Sequence, residues 1–295
     1  MLDTEQTACW RENGFLVLPG FKSPAACAAA VARAHALVDA FKPSAHAGSS
    51  ASRFSTRDRS LVANAALLDS AASVRCFFEE EALDDNGRLR VPKAQSINKI
   101  GHALHDLDET FITFSHGPDM AALAADLGLV QPQVWQSQLI FKQPHIGGEV
   151  GWHQDASFFV TTPQTVTTFW FALEDATLDN GCLWVEKQAD PSGQQGPRGL
   201  RWPLREQYLC DHAAGTLRMQ ALDATPWPAA AQAVPLPVAA GTLVVFHGLL
   251  PHRSAANRSA RSRLAYTLHV TDGRAAYAAE NWLQRSAALP VRGLA

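Results

Sequence analysis

From about residue 130 the chain becomes a succession of short segments rich in Val, Thr, Phe, Trp and Leu, at 133–141, 165–173, 182–186, 241–247 and 262–271. Gly, Pro, Asp and Asn separate them, and no helical pattern intervenes. Several short strands in a row without crossover helices favour antiparallel sheets, as a sandwich or barrel, over a parallel sheet wound with helices. The expected fold is therefore mainly β with flanking helices, its double-sheet core spanning about 130–275. Stretches 191–199 and 221–237, rich in Gly, Pro, Gln, Ser and Ala, read as insertions between strands.

The part before residue 130 reads mainly helical. Residues 4–13 suit a short helix stopped by Gly14, followed by a strand at 15–18 and a Pro19-Gly20 turn. Ser23-Pro24 is a helix start, with Ser as N-cap and Pro at the first helical position, and the Ala-rich run continues to Phe41. Residues 42–60 read as a mobile loop, and further helices are expected at 67–80 and 118–127. No repeat and no clean linker divides the 295 residues, so the expectation is a single domain.

Composition narrows the function classes. Hydrophobic residues make up 47% and charged residues 18%, enough apolar material for a sizeable core. A net charge of −3 argues against a general nucleic-acid or membrane-surface binder. No apolar run approaches the ~18 residues a membrane span needs; the nearest, 24–40, is interrupted by Arg33, His35 and Asp39. The opening residues lack the basic and apolar regions of a secretory signal. Five scattered cysteines, none in a CxxC pair, point to a reducing, cytoplasmic setting.

The chemistry concentrates in two stretches, Gly151-Trp-His-Gln-Asp-Ala-Ser157 and Phe246-His-Gly-Leu-Leu-Pro-His-Arg253. On a strand, His153 and Asp155 would project to the same side. His252, delivered by a distant strand, would complete two histidines and a carboxylate on one face of a metal, leaving coordination positions open, as in oxygen-activating non-haem iron sites. An H-x-D triplet alone is often a surface pair; here it follows a loop containing Gly147 and Gly148 and precedes an aromatic run. His247 competes with His252 for the third place. His102 and His105 have the i,i+3 spacing of helical metal ligands, but a buried and a hydrogen-bonded helix histidine is the more economical reading. His145 reads as a loop residue. Ser157 lacks the G-x-S-x-G turn of a hydrolase nucleophile, and no glycine-rich phosphate or dinucleotide motif is present. Arg253, Arg258, Arg261 and Arg263 cluster ahead of the last long strand. Of these, Arg263 lies deepest and offers a bidentate fork for a carboxylate.

Longer blocks carry a family resemblance: Ser96-Ile-Asn-Lys-Ile-Gly-His-Ala-Leu-His105, Phe141-Lys-Gln-Pro-His-Ile-Gly-Gly-Glu-Val150, His153-Gln-Asp-Ala-Ser-Phe158, Glu174-Asp-Ala-Thr-Leu-Asp-Asn-Gly-Cys-Leu-Trp184 and Arg261-Ser-Arg-Leu-Ala-Tyr-Thr-Leu-His269. In this order they resemble the phytanoyl-CoA dioxygenase family of Fe(II)/2-oxoglutarate-dependent oxygenases, closest to its domain-containing protein 1 subfamily. The resemblance implies a double-stranded β-helix core, a cupin-like jelly roll, with iron held by His153, Asp155 and His252. It implies that Arg263, with Arg261 as second choice, anchors the distal carboxylate of 2-oxoglutarate, and that Lys99, Gln138 and Trp170 contact the same cosubstrate. Asp155 stands where halogenating members have a small residue, which favours hydroxylation. The implied cofactors are Fe(II), 2-oxoglutarate and O2, with ascorbate in support, and the implied partner is a small-molecule substrate. Specificity would come from loops 42–60 (with Arg53, Arg57 and Arg59), 143–150 and 181–200. The competing readings are a zinc-type metallohydrolase or isomerase on a cupin-like barrel and a non-catalytic metal-binding barrel.

Overall fold

The computed structural model describes residues 1–42, 53–54, 65–186 and 202–295. Arg57, Arg59 and the 191–199 loop, with most of 42–60 and the later part of 181–200, lie outside the described residues.

Two helices open the chain. Thr4–Asn13 (α1) starts on a capping box in which Asp3 and Gln6 exchange side-chain and backbone bonds, and ends on Gly14 at φ 67°. A left-handed terminus of this kind suits a residue without Cβ. Pro24–Ala40 (α2) is capped by Ser23 and buries Cys27, Ala30, Ala34 and Val38 along one stripe. These small residues belong to the same hydrophobic core as Leu139, Phe171, Tyr266 and Leu268.

The largest sheet has eight strands. In spatial order they are β1 (Phe15–Leu18), β13 (Leu243–His247), β8 (Thr167–Ala172), β15 (Arg263–Asp272), β5 (Pro132–Lys142), β4 (Ile97–His102), β3 (Val74–Glu79) and β2 (Arg53–Phe54). Pairing is antiparallel except between β2 and β3. A four-stranded sheet runs β12 (Ala233–Leu236), β9 (Leu183–Glu186), β14 (His252–Ser254) and β6 (Val150–His153). Two ribbons complete the described strands: β10 (Glu206–Asp211) with β11 (Thr216–Ala221), and β16 (Ala276–Tyr277) with β7 (Thr161–Thr162).

The expected jelly roll is corrected by this topology. The eight-stranded sheet is open, ending at β1 and β2, and among the described residues no strand pairing joins it to the four-stranded sheet. The fold is mixed α/β, built from several sheets without barrel closure. The physical reason lies in the N-terminal part, which contributes four strands to the large sheet in addition to its helices. β1 extends the sheet at one end and β4, β3 and β2 at the other, so that it grows sideways.

The five strands expected after residue 130 are found within two residues of their expected ends. The helix expected at 118–127 is present as Pro118–Asp126. The helix expected at 67–80 is not: after a single turn, Ala65–Leu68, the chain becomes β3. Val74 is β-branched and Phe77 and Phe78 are bulky aromatics, and antiparallel pairing with β4 outweighs the helical spacing of the apolar residues.

Candidate metal centre

β14 carries His252 and pairs on one side with β6, which ends at His153; the two histidines are directly opposite in register. Asp155 is not on a strand. It begins the 3-10 turn Asp155–Ser157, whose Ala156 N–H donates to the Gly248 carbonyl at 2.9 Å. The alternation expected to align His153 with Asp155 is therefore replaced by a turn, and the turn still brings the three side chains together. Their ligand atoms all lie within 4.8 Å of one another. Asp155 Oδ1 is 3.6 Å from His153 Nε2 and 3.7 Å from His252 Nε2, and the two imidazole centroids are 4.1 Å apart.

The donor set suits a metal cation. His153 Nδ1 bonds the Gly151 carbonyl at 2.9 Å and His252 Nδ1 bonds the Leu250 carbonyl at 3.0 Å. A carbonyl can only accept, so each Nδ1 carries the proton and each Nε2 presents its lone pair to the cluster. Burial, then the neighbouring His252, lowers the His153 pKa to about 4, against a smaller opposing effect of Asp155, so the ring is neutral at neutral pH. Burial alone would raise the Asp155 carboxyl; His252 and His269 beside it prevail and hold it well below the usual carboxylate range. Two imidazoles that turn their Nε2 atoms to one point, with an ionised carboxylate beside them, are the facial triad of non-haem iron sites.

The triad opens into a cavity of about 400 Å3 that Lys99, Gln138, Trp170 and Arg263 also line. Arg263, the first residue of β15, is 2% exposed, and its Nε and Nη1 have no hydrogen-bond partner. Its guanidinium sits 5.5 Å from the Trp170 ring centroid. Burial lowers its pKa to about 10, partly offset by Cys182 and Glu174, which leaves it a cation at neutral pH. A buried cation with free N–H groups in a cavity is what an anionic carboxylate would complete. Arg261 is exposed on the preceding turn and does not line the cavity. Lys99 comes from β4, where burial, opposed by Asp155, brings its pKa down to about 7. The Gln138 side-chain amide donates to Gln136.

The remaining histidines separate clearly. His247 Nδ1 accepts from the Leu249 N–H at 3.1 Å, which commits it to the turn before β14. His102 ends β4 while His105 lies in the short helix Leu104–Leu107, so the pair is not helical. They bond Ser70 and Ser137 at 2.7 and 2.8 Å. His145 is in a loop at φ 67°.

Sequence reasoning assigned no role to three groups around the triad. Thr168 donates to Asp155 Oδ2 at 2.5 Å, and His269 Nε2 lies 3.4 Å from the same oxygen. Gln154 donates to the Pro203 and Leu249 carbonyls and accepts from the Arg205 N–H, tying the triad turn to two other segments. His269 was legible as the only histidine on the same strand, and with the same alternation, as Arg263.

The family model described as Phytanoyl-CoA dioxygenase (PhyH) matches residues 10–265. The chain belongs to this family. It is 41% identical over 285 residues to phytanoyl-CoA dioxygenase 1 of Oryza sativa subsp. japonica, covering 96% of this chain and 94% of the relative. To phytanoyl-CoA dioxygenase domain-containing protein 1 of Bos taurus it is 40% identical over 295 residues, covering 98% and 97%. In fold it is similar to the epimerase SnoN, solved with Fe3+, alpha ketoglutarate and nogalamycin RO (TM-score 0.60, 16% identity, 99% of this chain and 92% of that one). It is likewise similar to EctD from S. alaskensis with 2-oxoglutarate and 5-hydroxyectoine (TM-score 0.60, 16% identity, 97% and 84%). With its 2-His-1-carboxylate cluster, this member of the family is an iron- and 2-oxoglutarate-dependent oxygenase. No helix among the described residues is long and apolar enough to cross a membrane.

Proposed function

We propose that the protein hydroxylates a small-molecule metabolite, with decarboxylation of 2-oxoglutarate to succinate and CO2. In this reading His153, Asp155 and His252 hold Fe(II), Arg263 grips the distal carboxylate of 2-oxoglutarate, and Lys99, Gln138 and Trp170 flank the same molecule. The observation that carries it is the sharing of one cavity by the triad and by a buried guanidinium with two unbonded nitrogens. The chemistry of a zinc-type hydrolase, three protein ligands and an open position, does not itself call for a dicarboxylate anchor there.

Bound iron, 2-oxoglutarate and O2 supply an oxidant for an unactivated C–H bond. The chain's part is positional. Asp155, ionised at neutral pH, contributes the negative charge; His153 and His252 are fixed as Nε2 donors by their backbone bonds; Trp170 and the apolar wall around it keep water from the anion held by Arg263. Asp155 also distinguishes the reading from halogenation, which would need that position free of a carboxylate. The reading places all of this on one domain spanning 1–295, and in the cytoplasm, where ascorbate can support the iron. The five cysteines, all free, support that location.

The test is anaerobic titration of the apoprotein with Fe(II) and then 2-oxoglutarate. A visible charge-transfer band that needs both additions, and that Asp155→Ala abolishes, supports the reading; tight zinc binding with no such band rejects it. Succinate release then screens for the substrate.

A further inference from the structure

We infer that Lys142, the last residue of β5, is a positioning residue that sets the spacing of the two metal-facing histidines; the inference rests on the triad being a metal site. Lys142 is 1% exposed, and its ammonium donates to three backbone carbonyls: Gly148, Ser254 at 3.4 Å and Ala255 at 2.8 Å. Gly148 lies two residues before β6, the strand that ends at His153. Ser254 ends β14 and Ala255 follows it, two and three residues after His252. One charged group thus holds both histidine-bearing strands to a common point on β5.

The strands need such a tie. β14 and β6 pair at His252↔His153 and Ser254↔Val150, and the register shifts between these two pairs. On its other side β14 pairs with β9 in unbroken register, so it is the spacing between β14 and β6, where the ladder is locally disrupted, that is left to other contacts. The ammonium, by contrast, has its three N–H groups matched to three carbonyls in a dry site, where charge-assisted bonds are strong and directional.

The surroundings are shaped to admit it. A Cβ at Gly181 would come within 3.2 Å of Lys142 Cδ and 3.3 Å of Cε, and within 2.7 Å of the Ala255 carbonyl that the ammonium bonds. The Lys142 carbonyl accepts from Asn257 Nδ2 at 2.9 Å, which holds the same residue from its backbone side. Burial pushes the Lys142 pKa well below the usual lysine value, with Arg263, its register partner on β15, and Arg258 acting in the same direction and the carboxylates Glu79 and Glu149 opposing; the three carbonyls, which can only accept, match the three N–H groups of the charged form. Because all three donors are committed to carbonyls, Lys142 acts through the backbone of β6 and β14 and does not itself touch the metal or the cosubstrate.

The test is anaerobic titration of apoprotein with Co(II), an O2-stable probe of the site, reading both the dissociation constant and the visible d–d spectrum. Lys142→Met keeps the stem and removes the donors. The expected result is at least tenfold weaker Co(II) binding with an altered d–d spectrum. Phe111→Leu, which loosens the stacking on Tyr266 away from the cavity, is the stability control and should leave both readouts unchanged at a comparable loss of Tm. Lys142→Gln, with two N–H donors on a shorter stem, should fall between wild type and Lys142→Met, and it serves if the Met variant does not accumulate. Co(II) binding by Lys142→Met within twofold of wild type overturns the inference. So does an equal loss in the Phe111→Leu control, which would make the effect one of stability alone. Failure of the wild type to bind Co(II) would instead remove the metal reading itself.

Discussion

Asp155 Oδ2 is held between Thr168 Oγ1 at 2.5 Å and His269 Nε2 at 3.4 Å, while Oδ1 is the oxygen nearest His153 and His252. One oxygen of the carboxylate is thus engaged by the large sheet, and the other is left to the metal cluster. Carboxylates anchored in this way lose fewer orientations on binding a cation. Thr168→Val removes the donor at nearly constant volume and should weaken Fe(II) or Co(II) binding by about 10- to 100-fold, the usual range for outer partners of metal ligands. His269→Leu should act in the same direction. A calorimetric titration that finds wild-type affinity in both variants would show that Asp155 needs no such anchor.

The two arginines at the start of the last long strand make a second comparison. Arg263 is buried in the cavity wall with two unbonded nitrogens, whereas Arg261 is on the surface. Arg263→Ala should raise the KM for 2-oxoglutarate on the order of a hundredfold, as truncating one partner of a buried charge pair does. Arg261→Ala should change it less than twofold. Uncoupled 2-oxoglutarate consumption, measured by succinate release, reads both; equal effects would place the anchor elsewhere.

Much of this site could be read from residue order because its determinants are local. His153 and Asp155 are two residues apart, so almost any compact backbone between them leaves their side chains near each other, whether strand or turn. Alternation puts Arg261 and Arg263 on the same face of a strand, so Arg263 could be ranked first only by its greater depth in the strand and by the family resemblance. The fold was less legible. β3 and β4 are defined by pairing with each other and with β5, and a short apolar stretch such as 74–79 carries no periodicity that separates a buried strand from a helix. Sheet closure is more remote still. It depends on which strand edges meet, and the four strands before residue 130 that widen the large sheet have no local signal for where they attach. Thr168 and Lys142 were missed for the same reason: their roles come from partners 13 and more than 100 positions away.

Lys99 carries a stability cost that depends on pH. Burial lowers its pKa from 10.5 in the unfolded chain to about 7 in the folded protein, with Asp155 opposing. Between these values the unfolded state binds the extra proton, so stability rises with pH across that window. The penalty is complete below about pH 7 and fades as pH approaches 10.5. Lys99→Met should therefore have a higher Tm than wild type at pH 6 to 7, and the gap should narrow steadily toward pH 10. Thermal melts of the apoprotein at several pH values check this. A gap that stays constant would mean that the ammonium is solvated or paired well enough to carry no penalty.

Gly248 links the last turn before β14 to the turn that carries Asp155. Its N–H donates to the Val166 carbonyl at 2.7 Å, and its own carbonyl accepts from Ala156 at 2.9 Å. A Cβ placed there would stand 2.6 Å from Val166 Cβ and 2.7 Å from Cγ1, a distance real Cβ atoms do not tolerate. Gly248→Ala must then push Gly248 away from Val166 or displace the Val166 side chain. Overpacking of this kind costs about 1–3 kcal/mol. Any movement of Gly248 is passed through its carbonyl to Ala156 and so to Asp155. The expected outcome is a lower Tm together with weaker Co(II) binding. Removing the clash separates sterics from backbone preference: Val166→Gly combined with Gly248→Ala takes away both the Cβ and the Cγ1 that a Gly248 Cβ would meet and should recover a good part of the metal affinity, although Val166→Gly alone destabilises by leaving a cavity and a freer backbone. If the double variant binds Co(II) no better than Gly248→Ala, the glycine is required for its backbone and not for the room it leaves beneath the Asp155 turn.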